Sequence, residues 1–229
     1  ERHFCEAVIR RPVDGVIIVP THLTDEDIDR FIALTQTPVV ALGQHIGHPD
    51  VDVVWADDQK ATSEAIRWLI AERGHRRIGF VGVPDDYPPG PRRWHGFQQA
   101  MEASGLAIEP SFVFQGDFTL ESGRQIARNL IDLAEWPSVL FVVNDLMAIG
   151  LILELQDAGY VIPDDIAIMG FDNIPEASII RPHLTTVAQT PVEIGRKLAT
   201  ALFDRIEGRV SGSRRMLECP CTLIPRQSA

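Results

Sequence analysis

Arg77-Ile78-Gly79-Phe80-Val81-Gly82 is a short apolar run, and the loop after it leads into residues 91–104, which open on Pro91 and stop at Gly105. A run this short, rich in β-branched and aromatic side chains, suits a buried strand. Proline just inside and glycine just past the next stretch are the punctuation of a helix. The same pairing repeats outward. Apolar runs at 112–115, 139–143 and 166–170 alternate with amphipathic stretches at 120–133 and 146–158. Upstream, runs at 13–19, 38–42 and 51–55 alternate with helical patterns at 24–35 and 57–73. Thr24 is placed as an N-cap, with Asp25, Glu26 and Asp27 in the first turn behind it. Downstream come an extended stretch at 185–189, a helix at 191–206 and a last strand at 216–224. Strand–helix alternation of this kind predicts an α/β fold, its parallel strands covered by helices on both faces. The strands fall into a group before Gly74 and a group after it, so two lobes are expected, with Gly74-His75 as a crossing point.

Composition narrows the function. The chain has 229 residues, 45% of them hydrophobic and 23% charged, which fits a folded globular protein. Its formal net charge of −11 repels phosphate, so direct DNA binding by these residues is not expected. There is no apolar run long enough for a membrane helix. Glu1-Arg2-His3-Phe4-Cys5 lacks the layout of a secretory signal, and the three cysteines read as reduced structural thiols, so a cytoplasmic setting is expected. Nucleophile elbows, phosphate loops and zinc-protease motifs are missing from the sequence, so neither catalytic residues nor a cofactor nor a metal site is expected.

Ligands of open α/β sheets bind beyond the carboxyl ends of the strands. The residues just past each strand of the second group are therefore informative. These positions carry Arg93, Phe118, Asn144 and Asp172, a guanidinium, an aromatic ring, an amide and a carboxylate. The set suits a polyhydroxylated molecule, whose hydroxyls each donate and accept. Phe118 offers an apolar face for a sugar or base. Each residue also has a plainer reading. Arg93 could pair on the surface, Phe118 could be core, and Asp172 could hold a turn before Ile174-Pro175. Asn144 and Asp145 could cap the next helix; Asp145 is expected to serve that helix and not the ligand.

Several stretches together resemble one family. They are VDGVII at 13–18, GHRRIGF at 74–80, RWHGF at 93–97, QGDFTLESG at 115–123, the Asn144-Asp145 pair, PDDIAIMGFDN at 163–173 and PHLTTVAQ at 182–189. In order, they are similar to the effector-binding domain of lactose-repressor-type transcription regulators. The resemblance implies a periplasmic-binding-protein-like I fold of two lobes, each a parallel sheet with helices on both faces. It implies a first lobe of residues 1–74 plus 189–216, incomplete at its N-terminus, and a second of 75–188 plus 217–229. It places Arg93, Asn144 and Asp172 on the family's polar effector contacts, Phe118 on its stacking aromatic, and the ligand in the cleft between lobes. The implied partners are a small-molecule effector (a sugar before a purine), a second copy of the chain, and operator DNA only through a helix-turn-helix head outside these residues. The alternative is a periplasmic-type sugar-binding protein of a transporter, which shares the fold; GHRRIGF and LTTVAQ favour the regulator.

Overall fold

The computed structural model describes residues 1–11 and 13–229. In chain order run α1 (Arg2–Ile9), β1 (Val16–Ile18), α2 (Asp25–Thr35), β2 (Val39–Leu42), β3 (Asp52–Ala56), α3 (Asp58–Ala71) and β4 (Ile78–Gly82). Then come α4 (Pro89–Ala103), β5 (Val113–Gln115), α5 (Leu120–Ile131), β6 (Val139–Val142), α6 (Asp145–Asp157) and β7 (Ala167–Asp172). The chain finishes with β8 (Thr185–Ala188), α7 (Pro191–Ile206), β9 (Met216–Cys219) and β10 (Thr222–Ile224). None of the helices among the described residues is long and apolar enough to cross a membrane.

Two compact units result, Glu1–Asp57 with Thr190–Pro220, and Asp58–Gln189 with Cys221–Ala229. The first holds a parallel sheet in the order β1-β2-β3-β9. Its two faces follow from the alternation of side chains along a strand. Val39, Ala41 and Val53 turn to one core with Ile28 and Phe31 of α2, and Val8 and Ile9 of α1 pack against it. Val40 and Val54 turn the other way, onto Ile194, Leu198, Ala201 and Leu202 of α7. Each such buried aliphatic side chain contributes about 1.5–3 kcal/mol. Thr24 caps α2 as expected, in a reciprocal box with Asp27.

The second unit holds a six-stranded sheet, β10-β8-β7-β6-β4-β5. The register sets Phe80 of β4 beside Phe141 of β6. Phe80 also meets Phe97 of α4 at 5.1 Å between ring centroids, and Phe141 meets Phe171 of β7 at 6.5 Å. Helices α3 and α4 pack closely together, as do α5 and α6. The α3–α4 crossing requires Gly96, because a Cβ there would collide with the Gln59 carbonyl and crowd Thr62.

Three expectations change. The chain passes between units at Asp57/Asp58, not at Gly74. The reason is α3, whose Ala61, Ala65, Ile66 and Leu69 belong to the core of the second unit; Gly74, at φ +76°, only ends the helix region. The last strand is two strands. Pro220 interrupts it, so β9 pairs with β3 in the first sheet and β10 with β8 in the second. The β10–β8 pair is antiparallel, so the second sheet is parallel except at that edge. Residues 217–220 thus lie in the first unit and Gln189 in the second.

The first unit is tied by one buried carboxylate. Asp52 of β3 accepts from Arg205 Nε at 3.0 Å and Nη2 at 2.7 Å. It also accepts from the Arg215 backbone N at 2.7 Å, Nε at 3.1 Å and Nη2 at 2.8 Å. Burial pushes this carboxyl up, but the hydrogen bonds from both arginines outweigh it and hold it at about 2, below its ordinary 3.8. A folded-state value below the unfolded one gives stability that is present above the unfolded value and lost as pH falls through the folded one. Urea unfolding should therefore show the advantage of wild type over Asp52→Asn shrinking by about 2 kcal/mol between about pH 5 and pH 2. An advantage constant across that window would contradict this origin of the stability.

Candidate functional site

The carboxyl ends of β4, β5, β6 and β7 lie along one edge of the second sheet, since these strands are parallel. After β4 the loop turns into α4, whose Pro89 stands at the first helical position. Arg93 follows within α4 and is buried. Its Nη1 donates to the Val143 carbonyl, just past β6. Its guanidinium carbon lies 3.7 Å from the centre of the Phe171 ring, a cation–π contact. Two carboxylates flank it. Asp58 Oδ2 is 3.6 Å from Nε, and Asp172 Oδ1 is 3.8 Å from Nη2. Both distances are ion-pair contacts too long for hydrogen bonds. Nε has no hydrogen-bond partner among the described residues. The Asp58 Oδ1 atom is taken instead by Arg92 Nε at 2.6 Å.

Asp172 ends β7 with φ 115°, and Asn173 follows with φ 59°. Two successive non-glycine residues in the left-handed region are strained, at about 1–3 kcal/mol each. Gln189 Nε2 donates to Asp172 Oδ1 at 2.7 Å, and Arg226 Nη2 donates to Asn173 Oδ1 at 2.6 Å. Burial raises the Asp172 carboxyl above its ordinary value, with Asp58 adding to the rise while Arg93 and Gln189 pull it back. The side chain is still 33% exposed. It is a carboxylate with spare lone pairs.

Asn144 is the N-cap of α6, its Oδ1 accepting from the Met147 amide at 3.1 Å. Its Nδ2 donates to the Phe118 carbonyl at 2.9 Å. One amide hydrogen is left for anything else. Phe118 is itself strained, at φ 69°, and its ring meets Tyr87 edge-on at 5.5 Å between centroids. The four expected residues thus form a connected set. Phe118 is held by Asn144, Asn144 follows the Val143 that takes Arg93, and Arg93 reaches Asp172. One expectation is corrected: Asp145 does not cap its helix. Its buried carboxylate turns away to β8 and to the segment after β7, accepting from Thr186 Oγ1 at 2.6 Å and the Ile174 amide at 2.9 Å. Sequence reasoning missed Asp58, Phe171, Gln189 and Tyr87. Asp58 fell at the start of the expected helix 57–73, and Phe171 just past the expected strand 166–170, where Asp172 was chosen instead.

Strained, half-satisfied polar side chains thus gather at the parallel strand ends. The family model of the periplasmic binding protein-like domain matches residues 69–229. The transcriptional repressor CytR of Escherichia coli K12 is 32% identical over 96% of this chain, which spans 64% of that relative's length. The transcriptional regulator CelR in complex with cellobiose matches at a TM-score of 0.88 and 30% identity, over 99% of this chain and 69% of its own. A LacI-family transcriptional regulator from Enterococcus faecium with bound ribose matches at 0.88 and 30%, over 99% and 83%. The chain belongs to the periplasmic-binding-protein-like family, in the branch that serves lactose-repressor-type transcription regulators. These relatives are named as regulators and none as an enzyme.

The strain at Asp172 has a measurable consequence. Asp172→Gly and Asp172→Ala both lose the Gln189 bond and the 3.8 Å ion pair to the buried Arg93, but only glycine relieves the unfavourable φ. The glycine variant should therefore be more stable than the alanine variant by about 1 kcal/mol, read from the urea midpoints. Equal midpoints for the two variants would show that no strain is stored at this position.

Proposed function

We propose that this chain is the effector-sensing domain of a transcription regulator and that it binds a small polyhydroxylated molecule, a sugar before a purine. The Arg93–Asp172 pair carries the reading. The Arg93 Nη2 and the Asp172 carboxylate are 3.8 Å apart, too far for a direct hydrogen bond, and Asp172 has spare lone pairs, so the pair suits a group that accepts and donates at once. A sugar hydroxyl is such a group. Asn144 has an amide hydrogen to add, and Phe118 supplies an apolar face. The neighbours that hold cellobiose and ribose support the same ligand class.

In this reading the effector favours one arrangement of the lobes over another, closing the cleft, with about 1–3 kcal/mol of coupling to DNA affinity. With a net charge of −11 these residues repel phosphate, so in this reading operator DNA is contacted by a separate head and the regulator works in the cytoplasm, where its operator lies. A second copy of the chain is the proposed partner for the apolar side chains that α7 leaves outward, Val192 at 75% and Phe203 at 54% exposure. Sedimentation that finds only monomer at high protein concentration would contradict the pairing.

The ligand reading is tested by a thermal-shift screen of sugars, sugar phosphates and purines, since binding to the folded form raises the melting point. Calorimetric titration of the best sugar should then show Asp172→Ala binding about a hundredfold more weakly, a loss of about 2–3 kcal/mol. Unchanged affinity in that variant would remove Asp172 from the site.

A further inference from the structure

Asp145 is wholly buried although it opens a helix that Asn144 already caps. Its two carboxylate oxygens join three elements. From the start of α6, Oδ1 takes the Thr186 hydroxyl of β8 and Oδ2 takes the amide of Ile174. Neighbouring Gly170 of β7 leaves the space, since a Cβ there would strike the Asp145 carboxyl. Ile174 comes directly after the two left-handed residues, Asp172 and Asn173. Strained backbone persists only where its surroundings hold it. The bond to Ile174 is the hold on the α6 side, and the Arg226 bond to Asn173 is the hold from the C-terminal segment.

We propose that Asp145 is a positioning residue for the Arg93–Asp172 site, anchoring through the Ile174 amide the strained turn on which Asp172 stands. This rests on the reading of that site as the effector site. Because the anchor is a buried acid, it also links the site to protons. The groups facing it are Asp172 from β7, the uncharged Thr186 from β8, and the Asn173 and Ile174 amides. Beyond these, Arg93 of α4 reaches Asp172, and Arg226 reaches Asn173. Burial pushes Asp145 up to about 6; the bonds from Thr186 and Ile174 oppose the rise, and Asp172 adds to it. A folded value above the ordinary 3.8 means that the folded protein takes up this proton as pH falls through about 6. The neutral acid holds Ile174 through a carbonyl oxygen, a weaker acceptor than a carboxylate.

The test uses the whole 229-residue chain. In nitrogen–proton spectra of the ligand-free protein, the Ile174 and Asn173 amides should shift together between about pH 4.5 and pH 7.5, with one midpoint near 6. Thr186→Val removes a donor to the charged form and should move that midpoint upward. Asp145→Asn keeps an acceptor for the Ile174 amide and turns to Thr186 an amide that donates to its hydroxyl oxygen, so it should fold, and both backbone amides should stop titrating. With D-ribose as the probe, wild-type affinity should fall severalfold from the upper to the lower pH. Asp145→Asn should hold the wild type's low-pH affinity throughout. Amides that do not titrate, amides that still titrate in Asp145→Asn, or ribose affinity flat with pH in wild type would each overturn the positioning role. If the amides behave as expected and ribose does not bind, the anchor stands and the sugar reading of the site fails.

Discussion

A guanidinium buried in protein must be compensated or it unfolds the chain around it. Arg93, carried by α4, meets this demand with parts from three places: Asp58 at the start of α3, the Val143 carbonyl past β6, and Phe171 and Asp172 at the end of β7. These places can converge only because β4, β6 and β7 run parallel and end on one edge. Gly96, one turn further along α4, lets α4 close on α3 and so brings Asp58 within reach. The arrangement of the second unit and the presence of a site at its edge are thus one requirement seen from two sides.

The two units use the same residue types in opposite ways. In the first, Asp52 is saturated by Arg205 and Arg215 and its carboxyl falls to about 2. In the second, Asp172 receives one hydrogen bond, from Gln189, and its carboxyl rises. A saturated ion cluster has nothing left to offer a ligand and stabilises the fold. An unsaturated one costs stability and keeps its donors and acceptors available, as binding sites commonly do. Strain divides in the same way. Of the four non-glycine residues with positive φ among the described residues, Phe118, Asp172 and Asn173 belong to the candidate site, and Gln36, closing α2, lies elsewhere.

Much of this was legible in the sequence where local chemistry decides structure. The helix expected at 191–206 is α7, with its proline inside and Gly208 beyond, and the Thr24 cap forms as its residue pattern requires. Arg93 and Asp172 could be picked out because strand ends share an edge. What was not legible depends on long-range packing. Helix periodicity shows that α3 has an apolar face but not which unit buries it. An Asn-Asp pair before a helix does not reveal which residue caps; the structure gives the cap to Asn144 because Thr186 and Ile174, far along the chain, claim Asp145. Likewise nothing local marks Asp58 or Gln189 as neighbours of Arg93 and Asp172.

The most direct measurement of the central claim is a crystal structure of the protein grown with a sugar that raises its melting point. The account predicts sugar hydroxyls within hydrogen-bond distance of both the Arg93 guanidinium and the Asp172 carboxylate, with the ring face against Phe118. A sugar bound elsewhere, with Arg93 and Asp172 still facing only each other, would contradict it.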